Sequence, residues 1–380
     1  MRNRIIRLIV SLALLAAAGW LLPQPGRACS AFVLTKGGRV LFGRNFDFFT
    51  GLGFVVVNPR HLSKTALVYP GNPPARWVSK YGSVTFNQVG REFPMGGMNE
   101  QGLVVECLWL HQTQYSTADA RPTLTELQWI QYQLDNCRTV EEILASDSQV
   151  RILPSATKLH FLVCDRRGRA GVVEFLEGQS KLYSAGSLPV KALANATYAE
   201  CLEALKSYRG FGGGQPIPDS PGSPERFARL AAGLNGLGVG GSDFSLDRAF
   251  RLLDSVRYDG AESPTQWRII YDPLRLEIVF MTRNNSARRS LRLGALDFSC
   301  GRAGQVLDLD EGAAGDIGGI MKSYSSQWNR ERTRQIFDLY RKTNYAPDVP
   351  EMAVMLIGNY PETTGCAAAL STDKTITQKR

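Results

Sequence analysis

The stretch CSAFVLTKGGRVLFGRNFDF, residues 29–48, has two runs rich in β-branched and aromatic residues on either side of a glycine pair at 37–38. This pattern predicts two strands joined by a tight turn, because glycine readily adopts the positive φ angles that hairpin turns require. Since a hairpin returns its second strand alongside its first, Arg44 and Asp47 are expected to lie close to Cys29. The Arg44 guanidinium beside the Cys29 thiol would favour the thiolate. The Asp47 carboxylate could hold and orient the α-amine of Cys29 if that amine were free. The alternative for Arg44 and Asp47 is an ordinary surface ion pair, which contributes little to stability.

The segment before Cys29 is typical of an export leader. Its arginine-containing start is followed by a charge-free run over residues 8–22, which is shorter than the roughly 20 apolar residues of a membrane-spanning helix. Gly26 and Ala28 are small residues at the positions where a secretory cleavage site requires them. We therefore expect cleavage after Ala28, no stable membrane insertion afterwards, and a periplasmic or secreted location. The alternatives are an uncleaved membrane anchor and lipidation of Cys29, as in bacterial lipoproteins.

Cleavage after Ala28 would leave Cys29 with a thiol and an α-amine on the same residue. The reference pKa values are about 7.7 to 8.0 for the amine and about 8.5 for the thiol, so a neutral amine can take the thiol proton at little cost. Nucleophile and base would then share one residue. No catalytic histidine is required, and all three histidines are expected to be surface or packing residues: His61, His111 and His160. A competing arrangement, Cys164 with His160 as its base, has no orienting partner in the sequence pattern.

The composition argues against a nucleic-acid partner. The formal charge of the chain is +9, and removal of the leader's four arginines would leave +9 − 4 = +5, with the other basic residues scattered. We predict neither a metal ion nor an organic cofactor, and the seven cysteines include no CxxC pair. Cys29 is the odd cysteine and a candidate reactive thiol. The other six are expected to be buried free thiols or to form one or two disulfides: Cys107, Cys137, Cys164, Cys201, Cys300 and Cys366.

The predicted secondary structure has strands in two groups, with helices between and after them. Besides the first hairpin, strands are expected at 54–57, 83–89 and 103–110, in a hairpin around residues 166–169, and in a last hairpin of TQWRIIYD and RLEIVFMT. Helices are expected at 125–136, 139–145, 198–208, 224–234, 246–256, 327–343 and 351–357, with Thr123 or Thr125 capping the first. Strands in batches, without regular alternation with helices, predict an α+β fold of stacked sheets covered by helices.

Six motifs in order resemble those of the choloylglycine hydrolase family of linear amide hydrolases: CSAF at 29–32, FGRNFD at 42–47, GGMNEQGL at 96–103, LANATY at 193–198, PGSPERF at 221–227 and TQW at 265–267. That family includes bile salt hydrolases, penicillin V acylases and N-acyl homoserine lactone acylases. The resemblance implies the N-terminal nucleophile hydrolase fold over residues 29–300, a four-layer αββα sandwich of two stacked antiparallel sheets. Residues 301–380 would be a C-terminal extension whose helices pack on this domain. A small-molecule N-acyl amide substrate and a homo-oligomer, tetrameric in the family, are also implied.

The resemblance assigns a role to each matching residue. Cys29 is similar to the family's nucleophile, and Arg44 and Asp47 to the residues that tune it. Asn195 in LANATY resembles the side-chain donor of the oxyanion hole, where a positioned amide is worth roughly 3 to 4 kcal/mol. Arg226 in PGSPERF resembles a buried arginine that organises the site. The alternative for Asn195 is an ordinary turn residue.

Trp109 is a departure within the family pattern. Ten residues beyond Asn99, bile salt hydrolases have an asparagine and penicillin V acylases a tyrosine, whereas this chain has tryptophan. A tryptophan can still offer its backbone N–H to the oxyanion, and its indole would line the acyl pocket with apolar surface. This resembles the exported Gram-negative branch, which favours penicillin V or N-acyl homoserine lactones as substrates. The alternatives are bile salt hydrolysis and a non-enzymatic envelope lipoprotein anchored at Cys29.

Overall fold

The structure, a computed structural model, describes residues 29–117, 119–155, 157–237, 243–302 and 304–367. The predicted leader at 1–28 therefore lies outside the described residues. The strands, in chain order, are β1 Ser30–Lys36, β2 Arg39–Asp47, β3 Phe54–Asn58, β4 Leu62–Thr65, β5 Arg76–Val78, β6 Ser83–Asn87, β7 Pro94–Asn99, β8 Val104–Trp109, β9 Thr123–Leu124, β10 Arg151–Ile152, β11 Leu159–Cys164, β12 Ala170–Leu176, β13 Gln179–Ser184, β14 Ala192–Leu193, β15 Thr265–Asp272, β16 Glu277–Thr282, β17 Arg289–Arg292, β18 Gln305–Asp308, β19 Gly315–Asp316, β20 Lys322–Ser323 and β21 Gly365–Cys366. The α-helices are α1 Glu126–Asn136, α2 Val140–Ser146, α3 Tyr198–Leu205, α4 Ser223–Leu234, α5 Leu246–Asp254, α6 Ser326–Lys342 and α7 Glu351–Asn359.

Two large sheets form the centre of the molecule. The first has seven strands in the order β14-β1-β2-β15-β16-β17-β19, and only its β17–β19 pair is parallel. The second has nine antiparallel strands in the order β13-β12-β11-β8-β7-β6-β3-β18-β20. The predicted first hairpin is confirmed, because β1 and β2 pair from Ser30 opposite Asn45 to Lys36 opposite Arg39.

The two sheets stack face to face through large apolar side chains. Phe86 of β6 contacts three rings of the seven-stranded sheet, with centroids 6.5 Å from Trp267, 6.2 Å from Tyr271 and 5.3 Å from Phe280. All four of these side chains are buried. Burial of so much aromatic surface between sheets is the main favourable contribution that this fold makes to stability.

Helices cover the outer face of each sheet. Asn99 at the end of β7 donates hydrogen bonds of 2.8 Å to the carbonyls of Leu134 and Cys137 at the end of α1. On the other side, Asn45 of β2 donates a 2.8 Å bond to the carbonyl of Leu253 in α5. The order is therefore helix, sheet, sheet, helix, and the predicted α+β four-layer sandwich is confirmed. Thr125, one of two candidates, caps α1 by accepting from the Gln128 N–H.

The segment after residue 300 joins both sheets and adds two helices. Strand β18 pairs with β3, and β19 pairs with β17. Helix α6 is tied to the domain through Asn329, whose side chain accepts from the Arg91 N–H at 2.9 Å and donates to the Gly358 carbonyl of α7 at 2.8 Å. The domain boundary at residue 300 stays a prediction, but the strands on either side of it belong to the same sheets.

One disulfide ties this segment to the domain. Cys300 and Cys366 are bonded with an S–S distance of 2.12 Å, and five cysteines among the described residues are free and buried: Cys29, Cys107, Cys137, Cys164 and Cys201. The open choice between free thiols and disulfides is thus settled as one disulfide. Since β21 also pairs with β4, the disulfide and this pairing together fasten the C-terminal strand to the rest of the chain.

We expect the double variant Cys300→Ser/Cys366→Ser to lose about 4 kcal/mol in the free energy of unfolding. The bond closes a loop with a sequence separation of 66 residues, and the chain-entropy estimate for such a loop lies between about 3 and 4.7 kcal/mol. Urea unfolding of the variant, beside the wild type with and without reductant, measures the effect. Equal stability of all three samples would contradict a stabilising role for the disulfide.

Candidate active site

Cys29 lies directly before β1, where its side chain is only 5% exposed. Its Sγ donates to the backbone carbonyl of Asp47 at 3.7 Å, so the hairpin brings the end of β2 back to the thiol as predicted. Burial raises the pKa of this thiol, while the charges of Arg44 and Arg226 act in the opposite direction. A thiol in this environment needs a nearby base to become a nucleophile.

Arg44 is held between the two sheets by an acidic partner. Its Nε lies 2.7 Å from the Glu106 carboxylate of β8, and another guanidinium nitrogen donates to the Cys107 carbonyl at 2.8 Å. The Tyr271 hydroxyl donates to the other Glu106 oxygen. Because Arg44 is buried and pairs with Glu106, the alternative of an Arg44–Asp47 surface pair is wrong.

Glu106 is a site residue that sequence reasoning missed. Its signal is a single acidic residue inside the apolar run LVVECLWL. Burial raises its carboxyl pKa to about 7, against the lowering effects of Arg44 and Tyr271. Gly96, its neighbour on β7, must lack a side chain, because a Cβ there would lie 2.0 Å from the Glu106 carboxylate. Gly96, the first glycine of GGMNEQGL, therefore makes room for the partner of Arg44.

Asp47 ends β2 with a buried carboxyl group. Its partner across the sheet is Thr265, the first residue of β15 and of the TQW motif. Burial raises the pKa of Asp47 to about 7, whereas the charges of Arg226 and Arg44 lower it. A buried carboxyl of this kind can change its protonation state near neutral pH and can pair with an ammonium group placed beside it.

Arg226 connects the nucleophile to the oxyanion candidate. From α4 its Nη1 donates to the Cys29 carbonyl and to the Ser30 hydroxyl, both at 2.6 Å. Its Nη2 donates to Asn195 Oδ1 at 2.8 Å. With Oδ1 occupied in this way, the amide nitrogen of Asn195 has a fixed direction. One rigid guanidinium thus sets the relative position of Cys29 and Asn195.

Trp109 supplies the second support for Asn195. Its backbone carbonyl accepts from Asn195 Nδ2 at 2.8 Å. The indole is half-buried and packs against the core at the end of β8. Ser223, a second residue missed from the sequence although it lies within PGSPERF, accepts from the N–H groups of Asn195 and Ala196, both at 2.7 Å.

All six predicted site residues therefore lie in one connected cluster. Contacts join Cys29 to Asp47, Arg226 to Cys29 and Asn195, and Asn195 to Trp109. Arg44 acts on the Cys29 thiol through its charge. The catalytic roles of these residues stay predictions.

The competing Cys164–His160 arrangement is wrong. Both residues lie on β11, four positions apart, which places them roughly 13 Å from each other along a strand. The His160 ring instead lies between Glu174 and the Ala194 carbonyl, and the Cys164 thiol donates to the Asp165 carbonyl. His160 is therefore not placed to act as the base for Cys164.

An aromatic cluster begins next to the thiol. Phe46, which lies opposite Cys29 when the β1–β2 register is extended by one residue, has its ring 5.5 Å from Phe48. Phe48 and Phe49 pack against Tyr340 of α6 and against Tyr345, with centroid distances from 4.5 to 6.0 Å within the group. The C-terminal segment thus stabilises the loop that follows Asp47.

Two features are absent from the described part of the chain. Within it, no three His, Cys, Asp or Glu side chains are grouped so that they could hold a metal ion. No helix there has the length and apolar character needed to cross a bilayer.

A helix-covered pair of stacked antiparallel sheets is the architecture of the N-terminal nucleophile hydrolase fold. Residues 29–253, more than half of the chain, match the family described as linear amide C–N hydrolases, choloylglycine hydrolase family. The chain therefore belongs to the choloylglycine hydrolase family, and the resemblance in its motifs is confirmed.

Individual relatives agree with this assignment. A penicillin V acylase from Pectobacterium atrosepticum is 26% identical over 177 residues, which cover 42% of this chain and 47% of that protein. The chain thus matches about half the length of this relative. The structure of penicillin V acylase from Agrobacterium tumefaciens has a TM-score of 0.68 at 25% identity, covering 78% of this chain and 98% of that one. The conjugated bile acid hydrolase of Clostridium perfringens shares the fold, with a TM-score of 0.60 at 18% identity over 78% of this chain and 96% of its own.

Proposed function

We propose that this protein is an exported cysteine amidohydrolase that cleaves the linear amide bond of N-acyl compounds through an acyl-thioester on Cys29. The observation that carries the proposal is the Arg226 bridge, which fixes the Asn195 amide relative to the Cys29 backbone. A side-chain amide held beside a thiol is the arrangement that acyl transfer requires.

In the proposed mechanism, leader cleavage frees the α-amine of Cys29, and the neutral amine takes the thiol proton. The Sγ attacks the carbonyl carbon of the substrate amide, and the carbonyl oxygen becomes an oxyanion. Asn195 Nδ2 has two N–H groups, of which one donates to the Trp109 carbonyl, leaving the other for the oxyanion. The ammonium proton then passes to the departing amine as the C–N bond breaks. Water, deprotonated by the same amine, hydrolyses the thioester and releases the acid.

Export is supported by two independent features. The leader has a basic start, an apolar run and small residues before Cys29. The Cys300–Cys366 disulfide fits an oxidising compartment, since such bonds rarely persist in a reducing cytosol. These features support the periplasm or the extracellular medium as the location.

The proposed substrates are amides of aromatic or long apolar acids, of the penicillin V or N-acyl homoserine lactone type. The apolar surface of Trp109, and the phenylalanines that begin beside Cys29, suit such acyl groups. Two relatives that are penicillin V acylases support this choice. Bile salt hydrolysis is the alternative substrate class within the family.

Two measurements test the proposal. Intact mass of the protein purified from an exporting host should show loss of residues 1–28 and an unmodified Cys29. The processed protein should then release primary amine from penicillin V or a long-chain acyl homoserine lactone faster than from glycocholate. A diacylglycerol mass on Cys29 would overturn the mechanism, and preferential turnover of glycocholate would overturn the substrate assignment.

We expect Trp109→Ala to lower kcat/KM for aromatic and long acyl groups more than for short ones. Removal of a fully buried indole costs up to about 3 to 5 kcal/mol of packing, which is an upper bound for the half-buried Trp109. The share of this loss that falls on substrate binding grows with acyl length. A series of acyl lengths measures the effect, with Trp129→Ala as control, because Trp129 is a core tryptophan of α1 whose ring lies 4.3 Å from that of Phe161. A uniform loss for all acyl lengths, in step with lower melting temperature, would exclude a pocket role.

A further inference from the structure

His160 lies close to the proposed oxyanion donor without touching the reaction centre. It projects from β11 of the nine-stranded sheet and is fully buried. Its Nε2 is 2.7 Å from the Ala194 carbonyl, which belongs to the residue just before Asn195. Its Nδ1 is 3.0 Å from Glu174 Oε1 on the neighbouring strand β12.

Glu174 holds the other end of the same short segment. The oxygen that faces His160 also accepts from the Tyr198 N–H at 2.8 Å, at the first residue of α3. The pair therefore contacts the chain immediately before Asn195 and again three residues after it. Glu174 is fully buried as well, so these bonds are shielded from water.

The hydrogen-bonding partners set the orientation of the imidazole. The Ala194 carbonyl can only accept, so Nε2 must carry hydrogen. The ring therefore donates to Ala194 on one side, and its Nδ1 faces the Glu174 carboxyl on the other.

Ordinary strand pairing gives Asn195 little support. Strand β14, which leads into it, has two residues and pairs only with β1, at Leu193 opposite Ala31 and Ala192 opposite Phe32. The side-chain amide is oriented by Arg226 and Trp109, and the backbone N–H by Ser223. The carbonyl on the preceding residue accepts from the His160 imidazole.

We propose that His160, braced by Glu174, is a positioning residue that fixes Asn195 for oxyanion stabilisation. This inference rests on the proposed function. It gives the buried histidine a role in the reaction although it is neither a base nor a ligand. A shift of about 1 Å in a catalytic group can cost on the order of 10²-fold in rate.

A double-mutant cycle between His160→Gln and Asn195→Ala tests the inference. With a substrate that the wild type hydrolyses, His160→Gln should lower kcat about 10- to 100-fold and change KM less than about twofold. In the Asn195→Ala background, the same substitution should change kcat less than about twofold, because the group that it positions is absent. An equal loss of kcat in both backgrounds, or an unchanged kcat in His160→Gln, would overturn the inference.

A second variant and a structural measurement complete the test. If His160→Gln does not fold, the cycle is run with Glu174→Gln, which keeps the side-chain shape. This variant should lower kcat by a smaller factor than His160→Gln, and again only when Asn195 is present. Crystal structures of the wild type and of the folded variant should show displacement of the Asn195 amide by about 0.5 Å or more. This readout does not need turnover, so an inactive wild type would contradict the proposed function, whereas an undisplaced Asn195 would contradict the positioning role.

Discussion

Cys29→Ser in the processed protein is expected to lower amide hydrolysis by about 10³-fold or more while leaving the fold intact. Serine can occupy the same volume and donate to the Asp47 carbonyl as the thiol does. A hydroxyl is a much weaker nucleophile than a thiolate unless a strong base activates it, and the α-amine is a weak base. Released amine and the melting temperature, measured on the same sample, separate chemistry from stability.

The matched control for this substitution is Cys137→Ser. Cys137 is also 5% exposed, and its thiol donates to Gln133 at the end of α1, a bond that serine can reproduce. Cys137 lies away from the Arg226 bridge, and we expect the Cys137→Ser variant to be as active as the wild type. Full turnover in Cys29→Ser, or an equal loss in both variants, would remove Cys29 from the mechanism.

Features that depend on neighbouring residues in sequence were predictable. Alternation and a glycine turn predicted the β1–β2 hairpin, and the hairpin alone placed Asp47 beside Cys29. The helix limits followed from capping residues such as Thr125, to within a few residues. Local backbone preferences determine these elements, so a single sequence contains the information for them.

Features that depend on tertiary packing were not predictable in the same way. Arg44 was expected to serve Cys29, but its buried partner Glu106 comes from the other sheet. The disulfide between Cys300 and Cys366 joins segments whose proximity depends on β21 pairing with β4. His160 was expected to be a packing residue; the predicted hairpin around residues 166–169 puts it opposite Glu174, but its contact with the Ala194 carbonyl comes from the other sheet. Such contacts arise when segments distant in the chain pair or when the two large sheets stack, and sequence spacing does not encode them.

The second large effect is expected for Arg226→Lys, which should lower kcat/KM by about 10²- to 10³-fold, the range found when an oxyanion donor is lost. The guanidinium donates simultaneously to the Cys29 carbonyl, the Ser30 hydroxyl and Asn195 Oδ1. An ammonium keeps the charge but lacks the planar fork, so it cannot span nucleophile and amide at once. Steady-state kinetics on a good substrate measure the loss.

Arg229→Lys provides the control on the same helix, since Arg229 donates to the Ser255 and Pro218 carbonyls, which belong to neither the thiol residue nor the amide residue. This variant should retain activity within about twofold, because the hydrogen bonds that it changes do not orient Cys29 or Asn195. The loss in Arg226→Lys should also be non-additive with Asn195→Ala, since both substitutions disturb one oxyanion donor. If Arg226→Lys keeps wild-type kcat/KM, the buried arginine contributes its charge and not its geometry. The bridge between Cys29 and Asn195 would then not organise the site.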